Sequence, residues 1–221
     1  MLLWMLSGCV MFDFSDSGTG FSMPEKMVMS LIVNDEALPN PFQSVKLDDE
    51  VYYQALKVYR GAVDDGTAQS SVMTIIDFSK HSREKRLWTI DFYSNTVLYQ
   101  LHVSHGRGSD SNHDGWLDSV SNTPNSKQSS AGLYQTAETY RGKHGYSLRL
   151  DGLEKGVNDN ARERAIVVHG ADYATDAFIK KHGKTGRSFG CPAVSDDVSK
   201  EFIDTIKDGT LLWIYVPDSK I

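Results

Sequence analysis

Between residues 72 and 150, short runs of β-branched and aromatic residues are cut by turn signals, and this pattern restricts the fold more than any other feature. Val72–Phe78 is one such run. Arg86–Tyr93 and Thr96–Val103 flank Ser94-Asn95, which reads as a hairpin turn. Leu133–Tyr140 and Tyr146–Leu150 flank a second turn, Arg141-Gly142-Lys143-His144-Gly145. Ala165–Val168 is short, apolar and branched, the pattern of a buried strand. Leu211–Val216 is a last strand, ended by Pro217. Helical patterns are fewer. Val51, Ala55, Leu56, Val58 and Tyr59 keep helical spacing, with Gly61 read as the stop. Tyr173–Lys181 ends at Gly183, and Ser195 is placed to cap a helix through Lys207. Strands and helices do not alternate regularly, so the expectation is a mainly β or α+β domain and not a parallel βαβ sheet.

The chain has 221 residues, enough for one large domain with a short N-terminal appendage. A content of 40% hydrophobic and 24% charged residues excludes a disordered or low-complexity chain. The formal charge of −6 argues against a duplex nucleic-acid binder, which needs a basic face. Two cysteines, Cys9 and Cys191, exclude zinc ribbons and disulfide frameworks. Leu6-Ser7-Gly8-Cys9 resembles the lipobox of bacterial lipoproteins, so Cys9 is a candidate lipid anchor and the chain is expected to be exported. With Cys9 lipidated or removed, Cys191 has no partner. A lone thiol in an oxidising compartment suggests a reactive role.

His169 and Cys191 form the candidate reactive pair, 22 positions apart. His169 follows Ile166-Val167-Val168, and a side chain at the end of a buried strand is held by rigid scaffold. Taken alone, it is a satisfied histidine. Cys191 lies in Gly186-Arg187-Ser188-Phe189-Gly190-Cys191-Pro192-Ala193. Taken alone, it is equally a small buried hydrophobe. Two glycines permit a sharp loop. Arg187 and the start of the next helix would favour thiolate. Free N–H groups at Gly190 and Cys191 could hold an oxyanion. Together a thiol and an imidazole open acyl transfer or hydrolysis through a thioester.

These residues carry a family resemblance. His169-Gly170 followed by Ser188-Phe189-Gly190-Cys191 looks like the His-Gly … Ser/Thr-x-Gly-Cys signature of the L,D-transpeptidase (YkuD-type) catalytic domain, in its murein L,D-transpeptidase branch. Ile76-Asp77-Phe78-Ser79, Arg86-Leu87-Trp88, His105-Gly106, Ser121-Asn122, Ser129-Ser130, Gly142-Lys143-His144-Gly145 and Asn158-Asp159-Asn160-Ala161-Arg162 resemble further blocks of that branch. The resemblance covers roughly residues 50–216. It implies a β-sandwich with a few peripheral helices and a short N-terminal helical extension. The division that follows is 1–25 leader or tether, 26–60 helical extension and 61–221 catalytic domain.

The resemblance also implies peptidoglycan stem peptides as partners, no nucleic acid, no cofactor, and a site in the periplasm or cell envelope. Cys191 would be the nucleophile and His169 the base, with Ser188 and Gly190 shaping the loop and oxyanion site. Gly170, Phe189 and Trp116 would line the substrate path. The chain departs from the common pattern at Phe189, where many members carry His, Lys or Trp, and at Pro192-Ala193, where many carry a branched residue and then Arg or Asn. Arg187 is the substitute candidate for gripping a substrate carboxylate. The implied reaction is transpeptidation, with a water-dependent L,D-carboxypeptidase and a non-catalytic envelope-binding protein as alternatives.

Asp110, Asn112, Asp114 and Asp118 fall at calcium-loop positions, with Gly115 at the sixth, but the twelfth is Ser121 where a bidentate Glu is expected. The alternative is a polar loop with Trp116 as a lid or sugar-stacking platform. His105, His144 and His182 lack metal-site spacing and read as loop histidines. Lys80–Arg86 reads as a solvated basic turn.

Overall fold

A computed structural model describes residues 39–221. The segment read as leader and tether, Cys9 included, lies outside the described residues. The elements are α1 (Asp49–Asp64), β1 (Val72–Asp77), β2 (Leu87–Asp91), β3 (Thr96–Leu101), β4 (Gly132–Gly142), β5 (Gly145–Gly152), β6 (Val167–Ala171), α2 (Asp176–His182), β7 (Ala193–Ser195), α3 (Asp196–Ile206) and β8 (Leu211–Tyr215), joined by loops and short 3-10 turns.

All eight strands belong to one sheet in the order β3-β2-β1-β8-β4-β5-β6-β7. Most neighbours are antiparallel, while β1–β8 and β6–β7 are parallel. The expected mainly β architecture with peripheral helices is what forms. The sheet is curled: Ser104, just after the edge strand β3, bridges Ala193 in the opposite edge strand β7. Twist accumulated over eight strands brings the two edges together, and a nearly barrel-like shape results.

The sheet is buried on both faces, which explains why β8 reads as an unbroken apolar run and why even Thr74 and Asp77 of β1 are buried. On one face Met73, Ile75, Trp88, Ile90, Leu211 and Trp213 pack under α1. On the other, Ile76, Leu87, Leu148, Val168, Leu212 and Ile214 pack with Phe202, Ile203 and Ile206 of α3. Helix α1 is capped by Asp48, whose carboxylate accepts the Glu50 N–H. It buries Val51, Tyr52, Ala55, Tyr59 and Ala62. Gly61 lies inside this helix and does not close it. With the Tyr59 side of the helix already buried, packing carries it on to Asp64, where Asp65 and the left-handed Gly66 end it.

The hairpin read at Ser94-Asn95 forms, with Asn95 in the left-handed region at φ +51°. The second hairpin is tighter than its sequence suggested. Strands β4 and β5 run to Gly142 and Gly145, leaving only Lys143-His144 as the turn. Gly183 caps α2 at φ +75°, and Ser195 caps α3 by accepting the Asp197 N–H, both as read from sequence.

Candidate active site

His169 sits within β6 and not beyond its end. It pairs with Ser147 of β5 on one side and Ala193 of β7 on the other. Cys191 lies two residues before Ala193, so the loop that carries it enters β7 at the level of His169. Ala193, two residues past Cys191, is the register partner of His169. The ring of His169 is buried, and its Nδ1 lies 2.7 Å from the Gly170 carbonyl. A carbonyl only accepts, so Nδ1 carries the proton and Nε2 keeps its lone pair. Burial pushes the imidazole below its usual value; the Gly170 bond and Asp196 oppose this, and His144 adds to it. The ring is therefore neutral at pH 7.

Cys191 is a half-buried free thiol. It donates to the Ala165 carbonyl at 3.7 Å, and among the described residues no hydrogen bond joins it to His169. Burial pushes the thiol up, against the backbone of Val167 and the charge of Arg164. The sequence-based expectation of a resting thiolate is thus corrected. The first turn of α3 begins five residues later and holds Asp196 and Asp197, whose negative charges oppose the positive end of the helix. Arg187 donates to the Asp110 carbonyl and anchors the loop from below.

The loop is held by its own short polar residue. Ser188 Oγ donates to the Cys191 carbonyl at 2.6 Å and accepts the Gly190 N–H at 3.1 Å. Gly190 N–H is therefore taken, which corrects the expectation of two free donors. Cys191 N–H alone has no acceptor among the described residues. Gly190 has φ +125°, and a Cβ there would meet the Gln128 carbonyl oxygen at 2.6 Å, so only glycine fits. Blocks far apart in sequence build the floor. Ser188 pairs with Gly106, Ser188 N–H donates to the His105 carbonyl, and Ser129 Oγ donates to the Gly190 carbonyl.

Two residues near the pair were not singled out from sequence as site residues. Arg164 is held by Ser121 O, Ser130 Oγ, Ser126 Oγ and Gln128 O, and its charge acts on Cys191. In sequence it looks like the end of a surface charge run, Arg162-Glu163-Arg164. His144 stacks on His169, with centroids 4.4 Å apart. Its block carried the family resemblance, but nothing in the sequence placed the hairpin turn over the base.

The remaining candidates distribute as follows. Phe189 is 59% exposed, with Arg107 and Lys127 5.9 and 5.6 Å from its ring centre. Gly170 packs against Asp196 and Ser199, where a Cβ would meet Asp196 Oδ1 at 2.5 Å. Trp116 is exposed and stands edge-on to His81. In the calcium-like loop, Asp110 accepts the N–H groups of Asp114 and Gly115, and Asn112 and Asp114 bond to each other and to loop backbone. Among the described residues no group of three or more His, Cys, Asp or Glu is placed to hold a metal.

Beneath the loop runs a buried polar chain. Arg86 donates to His105 Nδ1 at 2.7 Å, which leaves Nε2–H to donate to Asp110 at 3.1 Å. Burial pushes His105 down to about 4, partly offset by Asp110. Asp110 is held at about 2 despite burial, by His105 and the two loop N–H groups. The folded-state value of His105 lies below its unfolded value, so the unfolded chain takes up the proton first as pH falls. The stability is complete above about pH 6.5 and is lost toward pH 4, by up to about 3 kcal/mol. Denaturant titration at pH 7 and pH 4.5 should show this loss, and His105→Asn should flatten the difference. His102, His113 and His169 shift the same way and set a residual slope. An equal slope in the variant would remove His105 from the account.

A free thiol on the loop that enters β7 and a neutral imidazole on the adjacent β6 can carry thiol-dependent acyl transfer. Residues 43–215 match the family model for the L,D-transpeptidase catalytic domain. The chain belongs to that family. Among solved structures, it is similar to an L,D-transpeptidase from Mycobacterium smegmatis (12% identity, TM-score 0.40, 66% of this chain and 59% of that one). It is also similar to L,D-transpeptidase 1 of Mycobacterium tuberculosis (13%, 0.37, 66% and 62%) and the helical cell shape determining protein Pgp2 of Campylobacter jejuni (12%, 0.43, 66% and 47%). The chain thus spans less than two thirds of each of these proteins. No curated protein matches it.

Proposed function

We propose that this chain is a cysteine-dependent murein L,D-transpeptidase. Cys191 attacks the carbonyl of the third residue of a peptidoglycan tetrapeptide stem while its proton passes to His169 Nε2. The C–N bond to D-alanine breaks, His169 returns the proton to the leaving amine, and a thioester remains on Cys191. An acceptor amine from another stem then attacks the thioester, gives its proton to His169, and releases the thiol. The observation that carries this reading is the His169 Nδ1–Gly170 hydrogen bond, which fixes the tautomer that a base toward a neutral thiol needs. Because burial keeps the thiol protonated, ionisation has to accompany attack.

Cys191 N–H is the backbone donor proposed for the developing oxyanion. Arg107 and Lys127, exposed beside Phe189, are better suited to meet a stem carboxylate than Arg187, whose guanidinium is engaged by the Asp110 carbonyl. The site of action proposed is the cell envelope, with Cys9 as the candidate anchor. Incubation with purified tetrapeptide muropeptides tests the function. Free D-alanine together with cross-linked dimers is the expected result. Free D-alanine with tripeptide only would assign a carboxypeptidase that uses water. No D-alanine would reject both and favour a binding role.

A further inference from the structure

The two-residue turn of the β4–β5 hairpin lays the exposed His144 over the buried His169, with ring centres 4.4 Å apart and planes 24° apart. Turn-tip side chains ordinarily stay solvated, because ordering them costs rotamer entropy. Here the register explains the contact: Ser147, three residues past His144, is the strand partner of His169. The Gly170 carbonyl fixes the Nδ1 edge of the His169 ring, and His144 covers one ring face. Edge and face together leave Nε2 a single direction. Neither alone does so, since a ring held only at Nδ1 still swings about that bond.

We propose that His144 is a positioning residue for His169, clamping the plane of the imidazole so that Nε2 stays aligned for the proton of Cys191. This rests on the thioester chemistry proposed above for the same site. A clamp made of imidazole also carries a charge signal that an apolar ring would not. Charge on His144 opposes charge on His169. The other ionisable group that acts on His169 is Asp196, which packs over Gly170 from the first turn of α3 and favours the imidazolium. Tyr173 reaches this set through Cys191 and Asp196, its phenol pushed up to about 12 by burial. Of these, His144 alone is an exposed imidazole stacked on the base, so replacing it changes the charge that faces His169.

Two variants separate the clamp from the charge. His144→Ala removes both, and His144→Phe keeps a ring and removes the charge. Single-turnover acylation by a carbapenem, followed by intact-protein mass from pH 5.5 to 9, should fall about tenfold in His144→Ala at every pH. In His144→Phe the rate at pH 8 should stay within about twofold of wild type, while the acid limb moves to higher pH. NMR titration of the His169 ring should show its midpoint rising in His144→Phe. Equal wild-type rates in both variants, with an unmoved His169 midpoint, would overturn the proposal. So would equal slowing in both, which would mean that a ring at this place does no clamping. Absence of any adduct on wild-type Cys191 would instead reject the thioester reading, and the positioning role with it.

Discussion

Cys191→Ala is expected to abolish acyl-enzyme formation and leave the fold intact. The side chain is half-buried and makes one long hydrogen bond, to the Ala165 carbonyl, so its loss should cost no more than about 1 kcal/mol. The loop around it is held by groups the substitution does not touch: Ser188 Oγ, Ser129 Oγ and the backbones of Gly106 and Gln128. Chemistry, by contrast, loses the only thiol among the described residues. A fall of at least about 10⁴-fold in D-alanine release is expected, because the remaining groups supply no nucleophile of comparable strength. Thermal unfolding within a few degrees of wild type, with no carbapenem adduct by intact mass, is the paired result. An adduct on the alanine variant would move the nucleophile elsewhere.

His169→Ala should be the second largest loss, and its pH dependence should be the more informative. The thiol is raised by burial, so it does not ionise unaided at pH 7. Removal of the base is expected to slow acylation by about 10²–10⁴-fold at neutral pH. Above pH 7 the variant then depends on hydroxide to make thiolate, so its rate should climb about tenfold per pH unit up to the thiol's own titration. The wild type should be nearly flat over the same range, since its neutral imidazole already accepts the proton. A variant that matches wild type, or one that is slow but insensitive to pH, would remove His169 from the proton transfer. Part of any loss will be structural, because the His169 ring fills a buried place between β5 and β7. His169→Gln, which keeps polar bulk, separates the two: stability should recover and the rate should not.

The strands were legible because their sequence signal is local. Branched and aromatic runs bounded by Asn95 and Gly145 declare themselves, and Ser195 and Gly183 cap helices by chemistry that operates within four residues. The Cys191 loop was legible for the same reason, since Gly190 is required by a close backbone approach that no other residue allows. What was not legible depends on closure of the sheet. Curling brings Ser104 to Ala193 and Gly106 to Ser188, contacts between residues more than eighty positions apart. That closure gives Arg187 to Asp110 and leaves Arg107 and Lys127 at the mouth beside Phe189. The thiolate expectation failed for a related reason: burial, which raises the Cys191 thiol, is set by the folded surroundings of the loop and not by its spacing from α3. In the calcium-like loop the acidic spacing serves Asx-type turns that satisfy loop N–H groups.

The most direct test is rapid-quench peptide mapping of the wild-type protein during turnover of a tetrapeptide stem. The fragment containing Cys191 should carry the stem less one D-alanine, bound as a thioester that hydroxylamine removes. Turnover with that fragment unmodified throughout, or with the adduct on any other residue, would contradict the account.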